Sequence, residues 1–420
     1  MSDREFSRER QIEIYVKGLS GKRSKVPVDM QALKSAARAV MSEEAYAYIA
    51  GGAGMESTMQ ANREAFERWR IVPRMLNDVS TYDTSVTLFG DRLPSPFLLA
   101  PIGVLDMAHK DADVGVAQAA AEEGIPMIFS NQASASMEDC AAVMSDSPRW
   151  FQLYWSKMDD LVVSLVQRAE NCGCSAIVVT LDTTMLGWRI RDLDLAYLPF
   201  LRGRGIAQYT SDPVFMENLI KEANNNERSF TANTLKALWE ILTTHPGSAL
   251  NNLRSGEAIA AVQTFIATYS RSSLTWDDLA FLRDHTSLPI LMKGILHPDD
   301  ARKALDYGVD GIIVSNHGGR QVDGSIATID ALPDITGTVG GVIPVLMDSG
   351  IRSGADIFKA LALGASAVCL GRPYVYGLAA GGSEGVREVI RNFIADFELT
   401  MRLSGCRSVN EITRDSLKYV

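Results

Sequence analysis

The 420-residue chain carries only five cysteines and five histidines, and neither type is grouped as a metal site requires. Cys140, Cys172, Cys174, Cys369 and Cys406 are odd in number and contain no CxxC pair, which argues against a disulfide framework or zinc module and for a reducing, cytoplasmic setting. No run reaches the roughly 18 apolar residues that span a bilayer. The charged start MSDREFSRERQIEIYV lacks the apolar stretch of a secretion signal. Positive charge is scarce as well: 41 Lys and Arg against 51 Asp and Glu leave a net charge of −10, which opposes general adhesion to nucleic acid or to an anionic membrane. An anionic ligand therefore needs arginines gathered locally. The H-E-x-x-H, G-x-S-x-G and Walker A patterns are all missing.

What is present is alternation. Short apolar runs rich in branched residues recur eight times: PFLLAP (96–101), PMIFS (126–130), WFQLY (150–154), AIVVTL (176–181), PILMK (289–293), GIIVS (311–315), IPVLMD (343–348) and SAVCLG (366–371). Such near-continuous runs suit parallel strands covered on both faces. Between them lie helical stretches such as DADVGVAQAAAEEG, MDDLVVSLVQRAENCG and SGADIFKALALG, several opening on Ser, Thr or Asp and closing on Gly. An α/β fold of the TIM (β/α)8 type closes this pattern most simply, with an open doubly wound sheet as the alternative. Residues 1–95 read as an N-terminal helical cap, with helix around MQALKSAARAVMSEEAYAYIAGG and a hairpin at TSVTLFGDRLPS, and residues 96–420 as the barrel. A long insertion after strand 4, residues 195–274, holds the helical pieces ENLIKEA and TLKALWEIL. Insertions in βα loops stand at the C-terminal mouth, so this one reads as an active-site lid, or else as a surface excursion or oligomer contact.

In such a barrel the C-terminal strand ends converge, and here they are polar. They supply Pro101-Ile102-Gly103, Ser130, Gln152 and Tyr154, Thr180 and Asp182, Lys293, Ser315 to Arg320, Asp348-Ser349-Gly350 with Arg352, and Gly371-Arg372. The loops after strands 7 and 8 are the usual phosphate site of the fold, and Arg352, Gly371 and Arg372 offer N–H groups and guanidinium forks there. The phosphate belongs either to a substrate or to a cofactor such as FMN. His317 lies between an apolar strand and two glycines, with Arg320 three residues on, the layout of a base beside a carboxylate clamp. Asp182 is placed to hydrogen-bond its imidazole.

The segments SNHGGRQVDG, LDTTMLGWRIRD and DSGIRSGADIFKALALGASAVCLGRP resemble the FMN-dependent L-2-hydroxy acid oxidase and dehydrogenase family from about Val40 onward. That resemblance implies a flavin enzyme removing the equivalent of a hydride from carbon 2 of a hydroxy acid. By it, His317 is the base on the hydroxyl or the α-proton and Asp182 orients it; Arg320 and Tyr48 bind the carboxylate; Tyr154 bonds near the reacting oxygen; Arg189 assists. Lys293 is expected at the flavin pyrimidine edge, Ser130, Gln152 and Thr180 along its polar edge, and Ser315 and Asp348 at its edge and ribityl chain. Arg352, Gly371 and Arg372 take the phosphate, and Pro101, Ile102, Gly103, Ser349 and Gly350 complete the cofactor contacts. A metal is not expected, and a homotetramer or larger assembly is.

Within the family the sequence is most similar to the branch that carries L-lactate and oxygen through to acetate, CO2 and water. Gly103 stands where most relatives have alanine, the strand 7 loop reads DSGIR in place of DGGIR, and the span from Asp182 to Lys293 is long. Thr184 replaces a common proline and Trp188 a frequent arginine. The rival outcomes are an oxidase releasing 2-oxo acid and hydrogen peroxide, a quinone-linked dehydrogenase, and, in a different class, a flavin-free aldolase using Lys293 as a Schiff-base amine.

Overall fold

Strands form at all eight apolar runs. In a computed structural model, described over residues 5–220 and 231–420, they are β1 (Phe97–Leu99), β2 (Met127–Phe129), β3 (Arg149–Leu153), β4 (Ile177–Thr180), β5 (Ile290–Ile295), β6 (Gly311–Val314), β7 (Val345–Met347) and β8 (Ala367–Leu370). Each pairs in parallel with its neighbour in chain order, and β8 returns to β1 with Cys369 opposite Leu98, closing a TIM barrel. Closure disposes of the open-sheet alternative.

The pleat then decides what the barrel holds. Leu98, Ile128, Trp150, Val178, Leu291, Ile313, Leu346 and Ala367, one from each strand, share an interior cluster separate from the core under the helices. Two residues on, strand geometry returns each side chain to the same face. Those positions are Ala100, Ser130, Gln152, Thr180, Lys293, Ser315, Asp348 and Cys369. An apolar layer thus fills the barrel's lower half and a mainly polar one its C-terminal mouth.

Residues before β1 reach both ends of the barrel. The hairpin Val86–Leu88 and Asp91–Leu93 inserts Leu88 and Leu93 into the interior cluster, and Phe89 meets Trp150 edge-on at 5.5 Å, plugging the N-terminal end. Helix Glu43–Ala50, capped by the Ser42 hydroxyl, carries Tyr48 to the mouth instead. Helix Phe6–Leu19 docks on Arg372–Leu403 through the buried Arg10, whose guanidinium meets Glu388 at 2.7 Å and Asn392 at 2.8–2.9 Å. Neither that docking nor the antiparallel pairing of Trp69–Ile71 with Leu417–Tyr419 follows from any local sequence pattern.

The insertion contains Ala207–Thr210, Pro213–Glu217, Ala232–Thr244, Ala249–Ser255 and Glu257–Thr268 as helices. TLKALWEIL lies in Ala232–Thr244, which the Thr231 hydroxyl caps. The helix expected at ENLIKEA is not formed in its described part: Glu217 ends Pro213–Glu217 and Asn218 to Ile220 are non-helical, while residues 221–223 lie outside the described residues. The insertion's rings Phe200, Tyr209, Phe215 and Phe265 pack on one another and join the core under the barrel helices. Tyr209 is fully buried and its hydroxyl has no hydrogen-bond partner among the described residues. An unmet buried hydroxyl costs about 1–3 kcal/mol, so Tyr209→Phe is expected to raise the thermal unfolding midpoint. A lowered midpoint would mean that the hydroxyl is in fact bonded.

Candidate active site

His317 follows β6 with φ 58°, and Gly318 and Gly319 continue in the same left-handed region at 67° and 75°. A Cβ at Gly319 would stand 2.7 Å from the Met59 nitrogen, so the turn depends on glycine there. It aims the His317 ring at Asp182, after β4, with Nδ1 to Oδ1 at 2.7 Å. β5 makes room: its register slips between Lys293 and Ile295, and the intervening Gly294, φ 113°, approaches Asp182 so closely that a Cβ would lie 3.1 Å from that residue's Cβ. Thr183 donates to the same Asp182 oxygen at 2.9 Å.

Electrostatics fix the protonation states. Burial alone would raise the Asp182 pKa, but the adjacent His317 and Lys293 outweigh it and hold it at about 2. Burial depresses His317 below the ordinary histidine value; Asp182 opposes this and Lys293 reinforces it. The resting pair is therefore a neutral imidazole beside a carboxylate. Because an ionised carboxylate only accepts, Nδ1 carries the hydrogen and Nε2 keeps its lone pair as a base.

Lys293, 4% exposed, donates to Ser315 Oγ at 2.8 Å and pairs with Asp348 Oδ2 at 3.1 Å. Burial pulls its pKa down, yet Asp348 and Asp182 more than reverse this, so the amine is held as ammonium. A Schiff-base nucleophile must be neutral, and the aldolase alternative fails on that ground. Behind it, Gln152 Nε2 donates to Thr180 Oγ1 at 3.1 Å, and Gln152 Oε1 accepts from Ser130 Oγ at 3.3 Å. Ser349 donates to Asp348 Oδ1 at 2.6 Å and accepts from the Gly318 N–H at 2.9 Å.

Four arginines meet at the mouth, and among the described residues none forms an ion pair. Arg320 Nη1 donates to the Tyr48 and Gly51 carbonyls, and Arg372 to those of Ile49, Gly51 and Gly318. Arg352 Nη1 donates to the Ile351 carbonyl at 2.7 Å, and Arg189 to Gln321 Oε1 at 3.1 Å. Burial, with Arg189 nearby, brings Arg320 down to about 9; burial and Arg372 bring Arg352 to about 10. Clustered like charges, Arg189 buried and the other three half-buried, make a site for anions, opposed only in part by Asp192, Asp356 and Glu56. Tyr48 lies under two of these groups, with the Arg320 and Arg189 guanidinium carbons 4.9 and 6.0 Å from its ring centre.

These groups border one cavity at the barrel mouth. Tyr48, Pro101, Ile102, Gly103, Tyr154, Arg189, Lys293, His317, Arg320, Asp348, Ser349, Gly350, Arg352, Gly371 and Arg372, all singled out in the sequence, line it. Asp182, Ser130, Gln152, Thr180 and Ser315 stand one layer behind, bonded to each other or to lining residues. Thr183, Leu186, Phe200, Tyr269 and Cys369 are among the lining residues that the sequence reading left out. Cys369 was reachable from the two-residue pleat; Phe200 and Tyr269, in the insertion, carried no such signal. Gly103 proves tightly packed: a Cβ would meet the Gln132 carbonyl oxygen at 2.9 Å.

A barrel mouth with unpaired arginines at strands 7 and 8, a buried ammonium and a histidine–aspartate pair has the layout of a flavin-dependent oxidoreductase. The chain belongs to the FMN-dependent dehydrogenase family, whose model matches residues 37–419. It is 43% identical over 388 residues to an FMN-dependent alpha-hydroxy acid dehydrogenase of Penicillium citrinum, covering 92% of this chain and 90% of that protein. To an L-lactate oxidase of Lysinibacillus sphaericus it is 42% identical, covering 87% and 86%. A crystal structure of mandelate oxidase with (S)-4-hydroxymandelic acid superposes with a TM-score of 0.77 at 36% identity, over 93% of this chain and 98% of the other. The enzyme is thus FMN-dependent and oxidises 2-hydroxy acids.

The residues fit that cofactor. Arg352 and Arg372, half-buried and without an ion pair among the described residues, would hold its phosphate, and the Lys293 ammonium would face the part of the ring that gains negative charge. Arg352→Gln is expected to weaken FMN binding to the apoprotein by about 10- to 100-fold, the range of one charged hydrogen bond, and to leave riboflavin binding little changed. Flavin fluorescence titration measures both; equal weakening would place Arg352 away from the phosphate.

Proposed function

We propose that the enzyme oxidises L-lactate with oxygen and retains the first products until they react, giving acetate, CO2 and water. The observation that carries the basic chemistry is the 2.7 Å contact of His317 Nδ1 with Asp182 Oδ1. In this reading Nε2 of His317 takes the proton from the hydroxyl or from carbon 2, and Asp182 stabilises the imidazolium that results. Arg320, with Tyr48 and Arg189, grips the carboxylate, and the Tyr154 hydroxyl donates to the reacting oxygen. The cofactor, when bound, accepts the two electrons removed from carbon 2. Asp182, Tyr154 and His317 are therefore the catalytic set.

The retention step rests on the pocket's outer wall. Phe200 and Tyr269, both from the 195–274 insertion, close the cavity opposite the strand ends, which supports reading that segment as a lid. Lactate and oxygen give pyruvate and hydrogen peroxide; held together, these become acetate, CO2 and water. The second reading, release of pyruvate and peroxide, has the L-lactate oxidase relative in its favour. Assembly as a homotetramer or larger belongs to the same proposal, supported by the apolar Met55, Trp188 and Val322, which are 83%, 72% and 66% exposed.

Turnover of L-lactate in air separates the two outcomes. Acetate and CO2 in excess, unaffected by catalase, are the expected products; equimolar pyruvate and peroxide would make the enzyme an oxidase. Gly103→Ala is expected to displace Gln132, since the new methyl meets its carbonyl, and to raise the share of free pyruvate. An unchanged product ratio would remove Gly103 from the account.

A further inference from the structure

Phe200 and Tyr269 line the pocket from opposite ends of the insertion, and both rest on one ring. Phe265, fully buried and not part of the pocket lining, lies 5.3 Å from Phe200 at an interplanar angle of 42° and is stacked on Tyr269 at 5.0 Å and 19°. Tyr209 closes a third side edge-on at 4.9 Å and is itself backed by Phe215 at 5.4 Å. These are separations at which ring pairs attract beyond the area they bury.

Phe265 is fixed with respect to the barrel. Its helix, Glu257–Thr268, ends against the loop after β3: the Thr268 carbonyl accepts from Ser156 Oγ and the Lys157 N–H, each at 2.9 Å, and the Ala267 carbonyl accepts from Lys157 Nζ at 2.9 Å. That loop directly follows Tyr154. At the helix's other face, Thr264 Oγ1 accepts from the Ile220 N–H at 2.8 Å. The chain continues from Phe200 to Tyr48, whose rings meet edge-on at 6.4 Å, and Tyr48 lies beneath Arg320. A ring anchored to the barrel therefore sets where both insertion walls stand relative to the arginine clamp.

We infer that Phe265 is a positioning residue for substrate selectivity: it holds Phe200 and Tyr269 at the spacing that limits the side chain on carbon 2 of the hydroxy acid. The inference rests on oxidation of 2-hydroxy acids alone and stands whichever acid is preferred and whichever products leave. Without the ring, both walls can recede, the pocket widens, and a small acid loses contact while a bulky one gains room.

The test uses FMN-loaded Phe265→Ala and Phe265→Leu, with kcat and KM measured for L-lactate and L-mandelate. In Phe265→Ala the ratio of kcat/KM for lactate over mandelate is expected to fall about tenfold, the scale at which an apolar pocket separates side chains. The fall should appear mainly as a higher KM for lactate. Phe265→Leu keeps apolar bulk without the ring and should fall between. An unchanged ratio in the loaded variants would overturn the inference, as would an equal loss of kcat on both acids with KM unaltered, the mark of general loosening. Should Phe265→Ala fail to load FMN, the Phe265→Leu ratio decides alone, and no shift in it refutes the role. Pairing Phe265→Leu with Phe200→Leu adds a second check: effects on the ratio that simply add would show that the two rings act separately.

Discussion

Buried charge at the barrel mouth is the constraint that the rest of the structure answers. Lys293 enters a layer from which water is largely removed, and it is tolerable there because Asp348 meets it at 3.1 Å and Asp182 adds a second negative charge. Asp182 in turn is held ionised by His317 and Lys293. The arginines are left over: Arg320, Arg352 and Arg372 are half-buried, bonded to backbone carbonyls and close to one another. A protein of net charge −10 has gathered in one place arginines that form no ion pair among the described residues, where a phosphate and a carboxylate would supply the missing charge.

Much of this was legible because barrel geometry turns sequence position into spatial position. Once eight strands are recognised, their ends must converge, and a two-residue step from Leu291 to Lys293 or from Leu346 to Asp348 leads from packed core to polar mouth. The His317 turn was equally readable, since two glycines after a histidine mark a backbone that must go left-handed. What stayed hidden depends on contacts distant in sequence. The hairpin at 84–95 was expected, yet nothing in TSVTLFGDRLPS places Phe89 against Trp150. Arg10 gives no local sign that Glu388 and Asn392 await it. The insertion was the least readable segment: its aromatic core follows no single period, so the wall made by Phe200 and Tyr269 appears only when the helices are packed. At Gly103 the sequence shows only a departure from the common alanine, whereas the structure gives the position a tight approach to Gln132.

The two halves of the pocket therefore differ in kind. Strand ends and short βα loops hold the polar half, where positions are set by barrel closure and by paired charges. The outer half is aromatic and belongs to an insertion whose rings pack on one another and onto the main core. In the function proposed above, chemistry common to 2-hydroxy acids falls to the first, and discrimination among acids and among fates of the product falls to the second. Such a division lets one change without disturbing the other.

The central claim is that His317 rests as a neutral base kept so by burial, with an anionic Asp182 at its back. Anaerobic stopped-flow measurement of flavin reduction by L-lactate across pH tests it most directly. Only the neutral imidazole accepts a proton, so the rate constant divided by the apparent substrate dissociation constant should be level near neutrality and fall on acidification, through an ionisation below the ordinary histidine value. Asp182→Asn removes the charge that favours the imidazolium, so its acid limb should move to still lower pH while the level rate drops. A wild-type limb above the ordinary histidine value, or one that stays in place in Asp182→Asn, would contradict the account.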